Sequence, residues 1–539
     1  VTLPPRLRTW LSAGVALVLL NGSLTFENVW PTPRIQLTPA LSIELAVCVL
    51  LLVVLHRWAG VLSRRVLPVV WVVLIAGRYL DVTAPGLYGR EFNLYWDSQH
   101  LGNVTAMLAR AVPAWLIAMA AASLFALVSV IYFSSRVAFR WLGASMTVPG
   151  PRRAMGTASA ALVLAFAAQH AAAWPAHVPA FSDPVTPAYA RQARYVLGML
   201  GPGSLRPALG ASPDFAGDLG GLKGADVLIV FVESYGAVTY ETPAIADALV
   251  ASRADLAAAV ADTGREVVTA YVESPTFGGS SWLAHLSLIS GVEVRDQYAY
   301  TSLMASKRET IITNFARRGY RTVALMPGMR QAWPEGAFYR FDRIYGHDLL
   351  EYRGPQFGWW TIPDQYALAK IDAVERAGAA EARSPLFIVF PTSTTHAPFG
   401  PVAPYQPDWA RVLTAEPFEP ADTERALAAT PNLIDLRPSY VRAMAYEYTT
   451  IAGYLREHAR DDMILIAIGD HQPPAAVSGR GASWSVPVHV FGRRGQLIDR
   501  LIDQKFRPGL EPVRPSIGAM HGLVPMLLQA FSPTGSQDD

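Results

Sequence analysis

Residues 463–474 read MILIAIGDHQPP: an apolar run and a glycine, then Asp470, His471 and a Gln-Pro-Pro stop. A short continuous apolar run cut off by turn residues is the pattern of a strand buried on both faces of a parallel sheet. Such sheets hold their ligands at the carboxyl ends of the strands, where Asp470 and His471 stand. Runs 226–233, 267–273, 321–327, 386–392 and 486–491 share the form, and helical stretches separate them. The sequence therefore predicts a doubly wound α/β domain with a mostly parallel sheet between helices.

Two other runs also end in polar groups. Run 227–232 stops at Glu233-Ser234-Tyr235-Gly236, and run 386–390 leads to Thr394-Thr395-His396. A carboxylate, an Asp-His pair and a further histidine are thus expected on one rim. The stretch PTFGGSSWLAH, 275–285, follows strand 267–273. Its glycines permit a tight turn, Ser280 falls where a helix begins, and Gly291 is placed to end that helix. A helix amino terminus favours a phosphate or sulfate, and Ser280 as its N-cap is compatible with such a role. Glu233, Asp470 and His471 form a hard-oxygen and imidazole set suited to Mn²⁺, Zn²⁺ or Mg²⁺. A serine hydroxyl is a weak nucleophile at neutral pH, and a nearby cation would favour its ionisation. His396 is placed to stabilise the transferred group or protonate a leaving alcohol. His285, His347, Asp348 and Asp364 read as structural, and His489 as core packing.

The composition divides the chain. Of 539 residues 51% are hydrophobic and only 16% charged, where a soluble domain carries about a quarter. The first 180 residues hold 13 Arg, no Lys and 5 acids; the remaining 359 hold 32 basic and 38 acidic residues. Apolar stretches at 9–26, 40–58, 64–84, 111–134 and 154–174 are each long enough to cross a hydrocarbon core of about 30 Å. The first reads as a retained anchor, since it lacks a small-x-small cleavage site and more spans follow. Arg6 and Arg8, then Arg57, Arg64 and Arg65, then Arg136, Arg140, Arg152 and Arg153 fall on one side of these spans, against Arg34, Arg90 and Arg110 on the other. Positive residues stay in the cytoplasm, so an odd number of spans places the carboxyl-terminal domain outside. The expected organisation is a five-helix transmembrane domain at 1–174, a juxtamembrane linker at 175–222 with a membrane-lying helix near 188–200, and an extracytoplasmic catalytic domain at 223–539. Arg78, Asp81, Arg90, Glu91 and Asp97, mixed with Tyr79, Tyr88, Tyr95 and Trp96, read either as a lipid-headgroup loop or as an interfacial belt with Arg78 paired to Asp81. The lone Cys48 excludes an intrachain disulfide and leaves no cysteine zinc site. The absence of Lys/Arg runs argues against a nucleic-acid partner.

The motifs VFVESYG (230–236), PTFGGSSWLAH, TTHAPF (394–399) and IGDHQPP (468–474), with GYRTVALMPG (319–328) and SVPVHVFG (485–492), carry a resemblance. Together with the five-span layout they resemble the lipoteichoic acid synthase and phosphoglycerol transferase group of the sulfatase/alkaline phosphatase superfamily. The resemblance implies one divalent metal, manganese first with zinc or magnesium as alternatives, held by Glu233, Ser280, Asp470 and His471, with His396 on the substrate side. The family nucleophile is typically Thr. Ser280 is expected here, from the preceding glycines and its 47-residue distance from Glu233, with Ser281 beside it and Thr276 upstream. The family's Trp and Arg that grip a glycerophosphate are loosely matched by Trp333 and Arg330. No x-Pro-x-Arg follows the serines, unlike formylglycine sulfatases, and one cysteine departs from the disulfide-bearing lipid A phosphoethanolamine transferases. The implied activity moves a headgroup, phosphoglycerol first, from a phospholipid donor through a phospho-serine to a glycan or glycolipid acceptor at the bacterial inner membrane. The alternatives are a phosphodiester hydrolase, a phosphoethanolamine transferase and a non-catalytic membrane assembly protein.

Overall fold

Strand β1 (Asp226–Val232) shows why the sheet lies inside. Val227, Ile229 and Phe231 join the apolar cluster on one face, while Leu228, Val230 and Val232 join that on the other. A strand apolar on both faces must be flanked and covered, and β1 has a parallel neighbour on each side. The computed structural model describes residues 4–532, except 30–31, 89–90, 100, 103–104, 106–112, 172–180, 201–208, 331–332, 359, 378–382, 433–434 and 459–460. It divides into two units, Val1–Leu205 and Arg206–Asp539.

The second unit is built on β1, β2 (Glu266–Glu273), β3 (Arg321–Met326), β4 (Arg343–Gly346), β5 (Leu386–Pro391), β6 (Met463–Gly469), β7 (Ser485–Gly492) and β8 (Arg507–Pro508). They form one sheet in the order β8-β2-β7-β6-β1-β5-β3-β4. The six expected runs are all strands, and β1, β3, β4, β5 and β6 are parallel. Strand β7 is antiparallel to both β6 and β2, so β2 points the same way as the parallel core. The carboxyl ends of β1, β2, β5 and β6 therefore share one rim. Strands β4 and β8 are edge pieces of 4 and 2 residues, too short to leave a hydrophobic pattern.

The first unit holds helices α1 (Pro5–Gly22), α2 (Ile43–Val54), α3 (Leu67–Tyr88), α4 (Ala114–Ser145), α5 (Pro149–Ala171) and α6 (Thr186–Leu200). Helices form in all five segments read as spans. Among the described residues, though, only Ala59–Leu87 and Ala114–Ser145 are long and apolar enough to cross a membrane. Helix α2 has 12 residues, a rise of about 18 Å. Arg90, Arg110 and the connector residues 175–180 and 201–208 lie outside the described residues. Glu44 accepts from the backbone N–H groups of Val185 (2.5 Å) and Thr186 (3.3 Å), tying the start of α2 to the start of α6. Asp81 pairs with Arg191 (3.1 Å) and not with Arg78, whose guanidinium donates to the carbonyls of Phe26 (3.0 Å) and Asp183 (3.2 Å). The charges near the end of α3 thus hold α6.

Within the sheet unit, His489 on β7 bonds the Tyr235 hydroxyl (2.8 Å), which also meets the hydroxyls of Tyr240 (2.7 Å) and Tyr448 (3.0 Å). It is a packed core histidine, as expected, and burial pushes its pKa down to about 3. At the rim, a Cβ on Gly469 would lie 1.8 Å from the Tyr235 carbonyl oxygen. Only glycine lets the ends of β1 and β6 approach this closely.

Gly469→Ala should therefore destabilise the sheet unit by about 1–3 kcal/mol or more, read as a lowered urea midpoint. The sign of the His489 effect follows from its pKa, 6.5 in the open chain and about 3 when folded. Between those values the unfolded chain binds a proton that the folded one refuses. Stability is full above pH 6.5 and is lost as pH falls toward 3. The urea midpoint should drop between pH 7 and pH 4, and His489→Gln should show a smaller drop.

Candidate metal centre

The register of the sheet brings the acidic groups together. Val232 of β1 lies opposite Gly469 of β6, so the next residues, Glu233 and Asp470, leave the sheet side by side. Glu233, Asp470 and His471 offer ligand atoms within 4.8 Å of one another, all buried. Ser234 between them adopts φ 58°, a left-handed conformation rare for a non-glycine residue. It donates its N–H to Asp470 Oδ1 (2.8 Å) and its hydroxyl to Glu233 Oε1 (3.2 Å). The His471 N–H also donates to Asp470 Oδ1 (2.7 Å).

The hydroxyl that faces these groups is that of Ser281, next to the Ser280 expected from the sequence. Gly278, Gly279 and Ser280 all have positive φ, and the helix α7 (Ser281–Ser290) follows with Ser280 in the N-cap position, as expected. Ser281 Oγ donates to Glu233 Oε2 (2.8 Å) and lies 3.1 Å from His471 Nε2. Ser280 spends its position on the left-handed turn, and its side chain makes no capping bond. Gly291 ends the helix with φ 65°, as expected.

The electrostatics fit a cation. His471 Nδ1 lies 2.8 Å from the Gln472 carbonyl oxygen. A carbonyl can only accept, so Nδ1 carries the hydrogen and Nε2 turns toward the carboxylates, as in a metal-ligating imidazole. Without a cation, burial opposes the charge on His471, yet Asp470 and Glu233 push its pKa up to about 9. Burial would raise Glu233, but His471, and more weakly His396, hold it well below the usual carboxylate range. Burial and the Glu233 charge raise Asp470. Asp470 Oδ2 is buried with no hydrogen-bond partner among the described residues. A buried carboxylate oxygen left bare beside a second carboxylate is what a divalent ion would satisfy. The donor set of two carboxylates, an imidazole and a hydroxyl suits Mn²⁺, Mg²⁺ or Zn²⁺.

His396 sits in the turn after β5. Its Nδ1 donates to the Ala397 carbonyl (2.8 Å) and its ring meets the edge of Trp360 at 4.6 Å. The turn hangs on Asp364, which accepts from the N–H groups of Ser393 (2.9 Å) and Thr394 (2.7 Å). Asp364 is thus structural, as read. Of the two residues matched to a glycerophosphate grip, Arg330 donates to Thr361 Oγ1 (2.9 Å), while Trp333 packs on Tyr339 with ring centroids 5.2 Å apart. Trp360 is the aromatic ring beside His396. Sequence reasoning missed it because no spacing from a motif marks it. A cleft beside His396 is lined by Phe357, Trp360, Ile362, Thr394, Pro398 and their neighbours.

Residues 284–486 match the family model described as Sulfatase. No curated protein matches the sequence. Among solved structures, the lipooligosaccharide phosphoethanolamine transferase A of Neisseria meningitidis is similar at 15% identity and TM-score 0.48, covering 97% of this chain and 96% of that one. The lipoteichoic acid synthase LtaP of Listeria monocytogenes is similar at 14% identity and TM-score 0.38, covering 61% and 77%. The Streptococcus pyogenes phosphoglycerol transferase GacH, solved with sn-glycerol-1-phosphate, is similar at 12% identity and TM-score 0.35, covering 66% and 88%. The resemblance read from the sequence is borne out at the level of the family model: residues 284–486 match Sulfatase.

Proposed function

We propose that the protein is a membrane-anchored, metal-dependent transferase that moves the headgroup of a phospholipid through a phospho-serine on Ser281. The observation that carries this reading is the Ser281 hydroxyl at the first turn of α7, hydrogen-bonded to Glu233 and facing His471. A divalent ion held by Glu233, Asp470 and His471 would lower the pKa of that hydroxyl and offset charge on the phosphoryl oxygens. Manganese is the first choice, with zinc or magnesium as alternatives.

The chain's own groups account for the remaining steps. Ser281, its hydroxyl aligned by Glu233 Oε2, loses its proton to water as its oxygen attacks the donor phosphorus at the amino terminus of α7, where the helix dipole favours an anion. The bond from phosphorus to the diacylglycerol oxygen breaks, and that oxygen takes a proton from His396. An acceptor hydroxyl on a glycan or glycolipid then attacks the phospho-serine and returns a proton to His396, while the bond from phosphorus to the Ser281 oxygen breaks and that oxygen takes a proton back from water. The preferred donor is phosphatidylglycerol. Among the described residues lining the cleft beside His396 there is no Asp or Glu, so a neutral polyol headgroup suits it better than an ammonium. A five-span anchor in the bacterial inner membrane, with this domain outside the cytoplasm, would keep the enzyme beside its donor.

Ser281→Ala should lower turnover by on the order of 10³-fold or more, whereas Ser280→Gly, which relieves the left-handed strain, should keep most activity. Labelled phospholipids and intact-mass measurement would check both. Loss with Ser280→Gly and retention with Ser281→Ala would reverse the assignment. Incubation with Mn²⁺ and labelled phosphatidylglycerol or phosphatidylethanolamine should release diacylglycerol from the former. Product bearing the headgroup on a supplied glycolipid marks a transferase, and free glycerol phosphate alone marks a hydrolase.

A further inference from the structure

His285 lies one helical turn beyond Ser281, on the same side of α7. Its ring packs against Phe231 of β1, with centroids 4.3 Å apart. That contact aims Nε2 at Asp470 Oδ2, 3.7 Å away. Both atoms are buried and neither has a hydrogen-bond partner among the described residues. The rest of the Asp470 carboxylate is fully used, because Oδ1 already takes the N–H groups of Ser234 and His471. His285 does not join Glu233, Asp470 and His471 as a ligand to one ion, since those three alone bring their atoms within 4.8 Å of one another. It stands behind Asp470, where a carboxylate ligand's remaining lone pairs call for an outer donor.

We propose that His285 is a positioning residue for the cation site, its Nε2–H holding the Oδ2 side of Asp470 and locking the helix that carries Ser281 to the ligand set. The inference rests on the proposed metal-dependent reading. At 3.7 Å the pair is beyond hydrogen-bond distance, a gap that a small rotation of either side chain closes. One turn of α7 then does two jobs: its start presents the nucleophilic hydroxyl to Glu233, and its next turn steadies the carboxylate opposite. A shift of the helix would disturb both, so nucleophile and ligand set stay in register.

The test is Mn²⁺ binding by calorimetry to the full chain in detergent, with wild type, His285→Ala and His285→Gln. Glutamine places an amide N–H near the position of Nε2 and serves as the conservative rescue. His285→Ala should bind Mn²⁺ about 10- to 100-fold more weakly, with His285→Gln recovering most of the loss. The metal-free melting temperatures of wild type and His285→Gln should coincide, which separates positioning from folding. Raising Mn²⁺ should restore much of the His285→Ala turnover. Wild-type affinity in His285→Ala, or equal loss in both variants, overturns the role of His285. Absence of Mn²⁺, Zn²⁺ and Mg²⁺ binding by wild type itself overturns the metal-dependent reading and this inference with it.

Discussion

Two carboxylates are forced together in the interior, and most of the rim is arranged around that fact. Glu233 and Asp470 present oxygens within 4.8 Å, where like charges repel by about 3–4 kcal/mol at an effective dielectric near 20. The chain meets this with donors: two backbone N–H groups on Asp470 Oδ1, and the hydroxyls of Ser234 and Ser281 on Glu233. Each donor has a structural cost. Ser234 is held in a left-handed conformation, and Gly469 must stay free of a side chain. Strain of this kind persists only where the surroundings fix it. Here the fully buried β1 and β6 do so.

The sheet register is what makes the juxtaposition inevitable. With Val232 opposite Gly469, the first residues past both strands are the two acids. A slip of one residue would turn every β1 side chain to the other face, exchanging two sets of buried apolar groups. The position of Asp470 against Glu233 is therefore tied to the largest apolar term in the fold. Strand β2 adds the third component. It reaches the same rim because β7 intervenes in the opposite direction, and its exit leads through Gly278 and Gly279 into α7.

The legible part of this arrangement was the part written in continuous apolar runs. Strands β1, β2, β3, β5, β6 and β7 announce themselves, and their polar ends name Glu233, Asp470, His471 and His396. Ser280 was the expected nucleophile, whereas the hydroxyl that faces Glu233 and His471 is that of its neighbour Ser281, and spacing alone does not separate the two. Ser280 takes the N-cap position of α7, as read, with a left-handed φ of 64° that no spacing announces. Trp333 and Arg330 were matched through a local motif, whereas Trp360 reaches His396 through the folding of a separate loop. In the first unit, hydropathy located five helices but not their lengths. An Arg78–Asp81 pair was one of two readings, suggested by their closeness in sequence, but Asp81 meets Arg191, and Arg78 meets the carbonyls of Phe26 and Asp183, all distant in sequence.

The rim has two halves with separate supports. The cation half rests on β1, β6 and α7. The other half is the turn after β5, hung on Asp364, whose carboxylate is buried. Glu447 packs against it; burial, and then the Asp364 charge, raise the Glu447 pKa well above the usual carboxylate range. The two halves are tied by the Glu233 N–H, which donates to the Thr392 hydroxyl (3.0 Å), and Thr392 in turn meets the Thr395 hydroxyl (3.4 Å). Under the proposed function, that tie is the route by which a change in the turn beside His396 would reach the acidic pair.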